Sequence, residues 1–511
     1  IAFHDPAQLV GDFQIGTGGL PASVTSVGGT VQYAYDPAWR VSSIAGPVGT
    51  FNYSYDPTNG LISGVSCSSI NASYTFDVLD RIMDIAWKDV STNVVRDFQY
   101  SYNTASMITQ KVTTANSLQS TNFYEYDLLD RLISEISFSA SVTSVVNYAY
   151  DLAGNRTQMV DNGQTINYTL SAGNRLTSWG QQGTNSRMQY ATAGNVTSIY
   201  YSASNQLALK WDSRYRVTEV KTNGTLAEKY QYDAMDRRVS ISDGTTTNLL
   251  IYNGVHVIAE VGTSGSLVRS YTYGPGIDNI LSMTVHGETT NTYYYIKDHL
   301  GSVQAMVDSS GAVVESYQYD AWGNTTVFDG SGNPLAQSSI GNRYCWQGRE
   351  YSWKTGLYYF RARWYDPVTG RWLSNDPIGI SGGLNQYVFC GDNPVSCLDP
   401  YGLNSFTNIT ITVTVPTNSS FSFPTNYNIP SMSNQFIFFG GGGGGVGAVL
   451  GNTPARLPPG STNIFRVPPV PGPRPEPGPV EGPWPGPGPG PGPGPGPWPG
   501  PGPAPGPDII K

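Results

Sequence analysis

Charge, long apolar runs and metal-binding patterns are all scarce in this sequence. Charged residues make up 13% of it at a net charge of -9, and Lys and Arg form no run, which argues against a nucleic-acid-binding protein. No stretch holds the roughly eighteen apolar residues that a membrane span needs, since the nearest, 436–450, contains six consecutive glycines. The four histidines do not stand at ligand spacing with the cysteines, so we expect no metal and no other cofactor.

Cysteine is rare as well, and its spacing leaves two interpretations open. The four cysteines are Cys67, Cys345, Cys390 and Cys397. Cys390 and Cys397 flank the turn sequence Gly-Asp-Asn-Pro at 391–394, so a local disulfide between them is sterically allowed. Two buried thiols explain the same pattern equally well.

Glycine, proline and tyrosine are abundant instead, at 59, 37 and 34 residues. Because Thr, Ser and Val are also common, the composition favours strands and turns over helices. A chain of 511 residues is too long for one ordinary core. Its length predicts either roughly two to four units or one elongated repeat structure. The chain begins with Ile1 rather than Met, which indicates a processed product or a fragment.

Self-similarity in the first half favours the repeat structure. A large aromatic or aliphatic residue just before a turn recurs with a period near twenty-one residues. The recurring positions are Tyr35, Tyr55, Phe76, Tyr102, Tyr126, Tyr150, Leu170, Tyr190, Trp211 and Tyr232. A single Tyr-Asp pair would usually be a surface turn, but ten positions in register indicate a structural unit.

The sequence around these positions fits a β-hairpin. Residues 148–156 read Tyr-Ala-Tyr-Asp-Leu-Ala-Gly-Asn-Arg, and 124–131 and 230–237 are similar. Tyr-x-Tyr places two rings on one face of a strand. The Asp can accept hydrogen bonds from backbone amides of the turn, and Gly or Asn further along tolerates a positive φ. Arg then begins the returning strand, so one period is two strands and a turn.

The stretch 342–403 divides this array from an unlike C-terminal part. In it, three arginines alternate with tyrosines and tryptophans. Guanidinium planes stack on aromatic faces across neighbouring strands, so we expect these side chains to fasten a small sheet. The residues concerned include Arg361, Arg363, Arg371, Trp364 and Trp372.

The Tyr-Asp strings and the stretch 342–403 together resemble the RHS/YD-repeat family. The resemblance implies an all-β fold, in which antiparallel β-hairpins form a spiral sheet shaped as an open cocoon or tube. Members of that family often carry a core that acts as a self-cleaving aspartyl protease and releases the C-terminal part after the final Gly-Leu. Such a protease needs two carboxyl groups, one ionised and one protonated.

Carried over to this chain, that resemblance implies specific residues. The cut would fall between Leu403 and Asn404, and Asp376 would be one catalytic carboxylate. Asp392 and Asp399 both remain candidates for the second. The alternative is that these Asp-Pro and Asp-Asn sequences only shape turns.

Beyond 403 the resemblance ends. Residues 407–415 alternate Thr with branched apolar side chains, which predicts a strand that needs a sheet edge to pair with. From 457 prolines dominate, and Gly and Pro alternate over 482–506, which predicts an extended polyproline II tail. The residues we expect to mediate assembly are Ile409, Ile411, Val413, Trp484 and Trp498.

These boundaries divide the chain into five segments. They are a hairpin array (1–248), a β region preceding the core (249–341), the core (342–403), a Thr/Ser- and Gly-rich linker (404–456) and the polyproline tail (457–511).

The leading functional hypothesis is a secreted, non-enzymatic structural protein. A short spiral has two open edges with unpaired backbone groups, and head-to-tail pairing of such edges generates a filament or tube of identical chains. The C-terminal strand and tail would bind the neighbouring subunit. The alternative is a toxin-type shell with self-cleavage after Leu403. A weaker alternative is a carbohydrate-binding surface protein, which assumes exposed tyrosines.

Overall fold

A computed structural model of the chain describes residues 10–16, 19–115, 117–139, 142–181, 186–403 and 406–407. All of them belong to one compact unit. Within these residues the regular structure is β-strand, apart from short 3-10 turns at Trp346–Gly348, Gly379–Gly382 and Cys390–Asp392. The predicted all-β fold is therefore confirmed.

The strands of the predicted hairpin array come first in the chain. They are β1 (Val10–Ile15), β2 (Pro21–Ser26), β3 (Gly29–Tyr35), β4 (Val41–Gly46), β5 (Gly49–Tyr55), β6 (Ile62–Ser66), β7 (Ile70–Phe76), β8 (Ile82–Asp89), β9 (Val94–Tyr102), β10 (Ile108–Ala115), β11 (Leu118–Tyr126), β12 (Leu132–Ser139), β13 (Val142–Tyr150), β14 (Arg156–Asp161), β15 (Gln164–Ser171), β16 (Arg175–Gly180), β17 (Ser186–Tyr190), β18 (Val196–Ser202), β19 (Asn205–Trp211), β20 (Val217–Thr222), β21 (Thr225–Tyr232) and β22 (Arg238–Ser242).

The remaining strands follow without a change of type. They are β23 (Thr247–Asn253), β24 (His256–Gly262), β25 (Leu267–Tyr273), β26 (Ile280–Val285), β27 (Asn291–Lys297), β28 (Val303–Val307), β29 (Val313–Tyr319), β30 (Thr325–Asp329), β31 (Pro334–Leu335), β32 (Glu350–Tyr351), β33 (Tyr358–Phe360), β34 (Arg363–Asp366), β35 (Arg371–Trp372), β36 (Cys397–Leu398) and β37 (Phe406–Thr407).

Strands β1 to β31 form one antiparallel sheet of 31 strands. Each strand pairs with the next one along the chain, from β1 with β2 to β30 with β31. The predicted boundary between 248 and 249 falls inside β23, which continues the same sheet. The sheet is not closed, because β1 and β31 do not pair with each other among the described residues.

A short-range ion pair stabilises the turns at one edge of the sheet. The Asp that follows the last tyrosine accepts the backbone N–H groups two and four residues on, and its carboxylate also binds the Arg four residues on, as Asp127 does with Arg131 at 2.6 Å. The residue before the Arg has a positive φ, as expected for Gly or Asn. Trp39 and Tyr215 take the same conformation, with φ near 61°. The turn is therefore held by the Asp rather than by a particular residue at that position.

Each repeat is tied to the one before it by the hydroxyl of its last tyrosine. Tyr150, for example, donates to the backbone oxygen of Leu132 at 2.7 Å, and the Arg131 guanidinium lies 5.0 Å from the centre of its ring. The same donor and acceptor recur in Tyr35 and Pro21, Tyr55 and Val41, Tyr102 and Ile82, Tyr126 and Ile108, Tyr232 and Val217, and Tyr252 and Arg238. The ring thus joins its strand to the preceding one through a hydrogen bond and, where an Arg precedes the acceptor, through a cation–π contact.

The sheet coils back on itself, so late strands lie against early ones. Tyr294 donates to the backbone oxygen of Val48 at 3.2 Å, and Trp87 donates to that of Lys297 at 2.8 Å. These contacts join residues more than 200 positions apart, although every strand pairs only with its sequence neighbours. The predicted spiral is therefore present in the structure.

The closing segment 342–403 lies against the buried face of this coiled sheet. Its four short strands, β32 to β35, form a separate sheet whose aromatic residues are buried against each other, for example Phe360 and Trp372. Polar side chains fix it to distant strands: Tyr201 donates to Asp366 at 3.0 Å, and Tyr387 donates to the backbone oxygen of Gly194 at 2.7 Å. The segment thus contributes buried aromatic residues to core clusters that it shares with the sheet.

Replacing Tyr150 with Phe tests the bond between repeats. The variant leaves the Leu132 carbonyl without its donor while it keeps the ring, so we expect a loss of about 1 kcal/mol in unfolding free energy. Urea denaturation followed by tryptophan fluorescence measures it. Phe76 holds the equivalent position without a hydroxyl, so Phe76→Tyr serves as the control and should be neutral or stabilising. If Tyr150→Phe were as stable as the parent chain, the Tyr150 hydroxyl would not contribute to the bond between repeats.

Candidate active site

Two aspartates distant in sequence meet on one arginine at the end of the closing segment. Arg363, in β34, is almost fully buried and points its guanidinium at both. Its Nη1 lies 3.0 Å from Oδ2 of Asp376, and its Nη2 lies 3.1 Å from Oδ2 of Asp399. The ring of Trp372 covers the guanidinium at 4.1 Å from its centre, which fixes the plane of the group. One cation therefore holds two carboxyl groups side by side.

The same groups hold the backbone just before the predicted cut. The Nε of Arg363 donates to the backbone oxygen of Gly402 at 2.5 Å, and the N–H of Leu403 donates to Oδ1 of Asp399 at 3.0 Å. Gly402 has a φ of 67°, and a Cβ there would lie 2.5 Å from the backbone oxygen of Phe360. Only glycine fits so close to β33, so this turn delivers Leu403 to the aspartates in one geometry.

The surroundings of Asp376 favour its protonated form. Burial raises its pKa above the usual value and the charge of Asp399 acts in the same direction, while Arg363 and the N–H of Ile378 lower it. Gly382 lies so close that an added Cβ would be 2.4 Å from Oδ2 of Asp376. Two neighbouring carboxyl groups, of which one has a raised pKa, are the arrangement that acid–base hydrolysis requires.

Asp392, the other candidate, lies elsewhere. The 3-10 turn Cys390–Asp392 directs its carboxyl toward the turn before β14, where an added Cβ on Gly154 would lie 3.0 Å from Oδ2. Burial raises the pKa of Asp392 to about 7, although Arg156, Arg371 and Arg131 act to lower it. The structure therefore brings Asp376 together with Asp399 and not with Asp392.

The other predicted core residues are spread over several contacts. Arg361 binds Asp278 at 2.6 Å, a partner that the sequence did not indicate, and Arg371 donates to Asn155 at 3.2 Å. Trp364 lies against Tyr230, with ring centres 4.9 Å apart. All three residues tie the closing segment to the coiled sheet and lie outside the Asp376–Asp399 pair.

The cysteines and the tyrosines also have defined places. Cys390 and Cys397 are buried and free, so the structure shows two thiols rather than a disulfide. The repeat tyrosines Tyr35, Tyr55, Tyr126, Tyr150 and Tyr232 are partly buried and use their hydroxyls within the sheet, which removes the basis for the carbohydrate-binding hypothesis. The predicted assembly residues Ile409, Ile411, Val413, Trp484 and Trp498 lie outside the described residues.

Comparison with known proteins decides the family. The family described as the teneurin YD-shell matches residues 21–395. The chain belongs to the teneurin YD-shell family. This YD-shell assignment agrees with the resemblance to RHS/YD-repeat proteins that the tyrosine repeats indicated. No helix in the described part of this YD-shell chain is long and apolar enough to cross a membrane.

Curated relatives of this YD-shell chain are much longer proteins. The tRNA3(Ser)-specific nuclease WapA of Bacillus spizizenii is 33% identical over 290 residues, which is 54% of this chain and 12% of that protein. The double-stranded DNA deaminase toxin A of Burkholderia cenocepacia is 27% identical over 332 residues, or 60% of this chain and 22% of the toxin. The chain thus spans less than a quarter of the length of these two relatives.

Solved structures share the YD-shell fold at low identity. The TcdB2-TccC3-Cdc42 crystal structure matches with a TM-score of 0.63 at 21% identity, over 76% of this chain and 21% of that one. A Photorhabdus luminescens Tc holotoxin pore matches with the same TM-score, over 80% of this chain and 21% of that one.

The raised pKa of Asp392 predicts how the stability of the fold depends on pH. Its pKa is about 7 in the folded chain and about 4 in an unfolded one, so it favours the fold when protonated. That contribution is complete below about pH 4 and is lost as the pH rises to about 7. Asp392→Asn should therefore melt higher than the parent chain at about pH 8, with a difference that vanishes near pH 4. Thermal melts across this range measure it, and a difference independent of pH would contradict it.

Proposed function

We propose that this chain forms a YD-repeat shell that cuts its own backbone between Leu403 and Asn404. The observation that carries the proposal is the placement of Asp376 and Asp399 on Arg363, with the peptide before Leu403 bound to the same groups. No bound substrate is needed, because the closing segment presents its own backbone to the carboxyl groups.

The two carboxyl groups have distinct roles in this proposal. Asp399 is the base that takes a proton from water as the water attacks the carbonyl carbon of Leu403. Asp376, whose pKa burial raises, is the acid that protonates the departing nitrogen of Asn404 when the peptide bond breaks. Arg363 positions both carboxyl groups and does not exchange a proton.

The names of the relatives support a role for the chain beyond self-cleavage. Several bear the names of nucleases or toxins, including the toxin subunit YenC1 of Yersinia entomophaga, which is 26% identical over 373 residues. We therefore place the chain with toxin-type shells that act outside the cell that makes them, and the cut would separate the shell from 404–511.

Substitution of each aspartate tests the cut. The parent chain should yield a fragment whose intact mass ends at Leu403, whereas Asp376→Asn and Asp399→Asn should remain full-length, since each lacks one half of the acid–base pair. Asp392→Asn is the matched control, because this aspartate is equally buried but lies away from the pair, and it should be cut like the parent. A full-length parent chain, or cutting that survives in Asp376→Asn, would overturn the proposal.

A filament of identical chains is the second candidate. Strands β1 and β31 each pair with one neighbour among the described residues, so backbone groups at both edges remain available for strand addition. However, the first residue of the predicted assembly strand, Thr407, pairs with Cys397 of its own chain.

Electron microscopy tests the filament. Negative-stain images of the purified chain should show filaments, and a chain without residues 404–511 should show none, if the segment after the core joins the subunits. Single particles from the full chain would argue against assembly. Filaments that persist after the deletion would show that the sheet edges suffice without it.

A further inference from the structure

One edge of the coiled sheet carries a row of exposed apolar side chains. They stand at the tips of the turns that follow odd-numbered strands, between Asp and Arg or Asn. Leu128 and Leu152 are fully exposed and Val78 nearly so. We call the set the turn-tip row, and it consists of Trp39, Val78, Leu79, Leu128, Leu129 and Leu152.

The turns at this edge of the sheet contact one another in order, although the turns at 56–61 and 103–107 carry no member of the row. Arg81, after the turn with Val78, donates to the backbone oxygen of Asn103 in the next such turn at 3.2 Å. Arg131, after the turn with Leu128, donates to the backbone oxygen of Asp151 at 2.8 Å. Since adjacent strands are about 4.8 Å apart, the row from β7 to β14 is on the order of 30 Å long.

Two equivalent turns later in the sheet are covered, whereas Tyr215 and Met235, in the turns after β19 and β21, remain 57% and 50% exposed. Leu300, in the turn between β27 and β28, is 7% exposed, and Trp322, between β29 and β30, is 2% exposed. Trp322 lies under the guanidinium of Arg156 and beside the ring of Tyr148. Apolar residues in these turns are therefore buried where another part of the chain contacts them, and the turn-tip row, like Tyr215 and Met235, is exposed among the described residues.

The charge of the protein surface around the row favours some kinds of binding partner over others. The six turns from 36 to 155 contain seven aspartates and three arginines, so the surface around the row is acidic. A second copy would bring two acidic surfaces together, and a membrane with anionic lipids would repel this one. An uncharged apolar segment would bind this surface without either of these electrostatic repulsions.

The chain itself contains such a segment. Residues 404–455 include no charged residue and six phenylalanines, at 406, 421, 423, 436, 438 and 439. Its first strand, β37, is close to the row: Thr407 pairs with Cys397, and the hydroxyl of the preceding Ser396 accepts from the N–H of Ile108 at 3.1 Å. Ile108 directly follows the turn at 103–107, which lies between the turns that carry Leu79 and Leu128.

The segment after Thr407 is long enough to run along the row. An extended chain advances about 3.3 Å per residue, so roughly ten residues after Thr407 suffice to run along the row. Burial of six large apolar side chains at roughly 100 Å² each, together with the phenylalanines that cover them, approaches the area of a specific interface.

We propose that the uncharged segment 404–439 packs its phenylalanine and branched side chains over the turn-tip row of its own chain. The contact does not require the cut after Leu403, and in a cut chain it retains the released segment. The contact gives the turn-tip row a binding partner, and the row has no role in the proposed self-cleavage.

Site-specific photo-crosslinking tests the contact in the full chain. The photoreactive amino acid p-benzoylphenylalanine replaces Leu128 in the parent and in Asp376→Asn, so that the result does not depend on the cut. Leu118, at the other end of the same strand, is 69% exposed and provides the matched control position. We expect position 128 to crosslink to peptides of 404–439 within one chain, and position 118 to give no such product by mass spectrometry.

A second measurement uses natural side chains. Leu128→Ser with Leu152→Ser should speed chymotrypsin cleavage at the phenylalanines of 404–439 by about tenfold or more, because the protecting contact is lost. Leu118→Ser should leave that rate unchanged. Crosslinks from position 128 only to another copy, crosslinks no stronger than those from 118, or a cleavage rate that the double variant does not change would each overturn the proposal.

Discussion

The hydrogen bond from a tyrosine hydroxyl to the backbone of the preceding repeat is the interaction on which the rest of the structure depends. It recurs between Tyr55 and Val41 and between Tyr232 and Val217, far apart in the same sheet. These two bonds also bring a ring under the Arg of the preceding turn, and that Arg is held by its Asp. A sheet of 31 strands has few other ways to keep its curvature, because the described part of the chain contains no α-helix to support it.

The repeat was predictable because its signals are local. The period, the hairpins, the turn role of Asp and the all-β fold follow from residues within one unit, such as 148–156. The choice between Asp392 and Asp399 was not predictable, since it depends on how the 3-10 turn Cys390–Asp392 points one side chain toward Gly154. Arg363 was recognised for its stacking, but its position between two carboxyl groups depends on β34 lying beside both of them, which no local pattern encodes.

The turn-tip row shows the same limit of local patterns. Leu128 and Leu300 occupy similar turns, yet one is fully exposed and the other is buried. The difference arises because the turn with Leu300 lies against Tyr100 and Val395, which are far away in the sequence, and such contacts are a property of the whole coil. Sequence alone therefore identifies the turn but not what covers it.

The order of strands along the sheet has a consequence for how the molecule forms. Every strand of β1 to β31 needs only its immediate predecessor, so the sheet can grow residue by residue as the chain leaves the ribosome. Asp376 and Asp399, by contrast, are brought together by Arg363 within the closing segment, which is made after all of these strands. Since Tyr201 and Gly194 of the sheet bind this segment through Asp366 and Tyr387, the site lies on a surface that the finished strands provide.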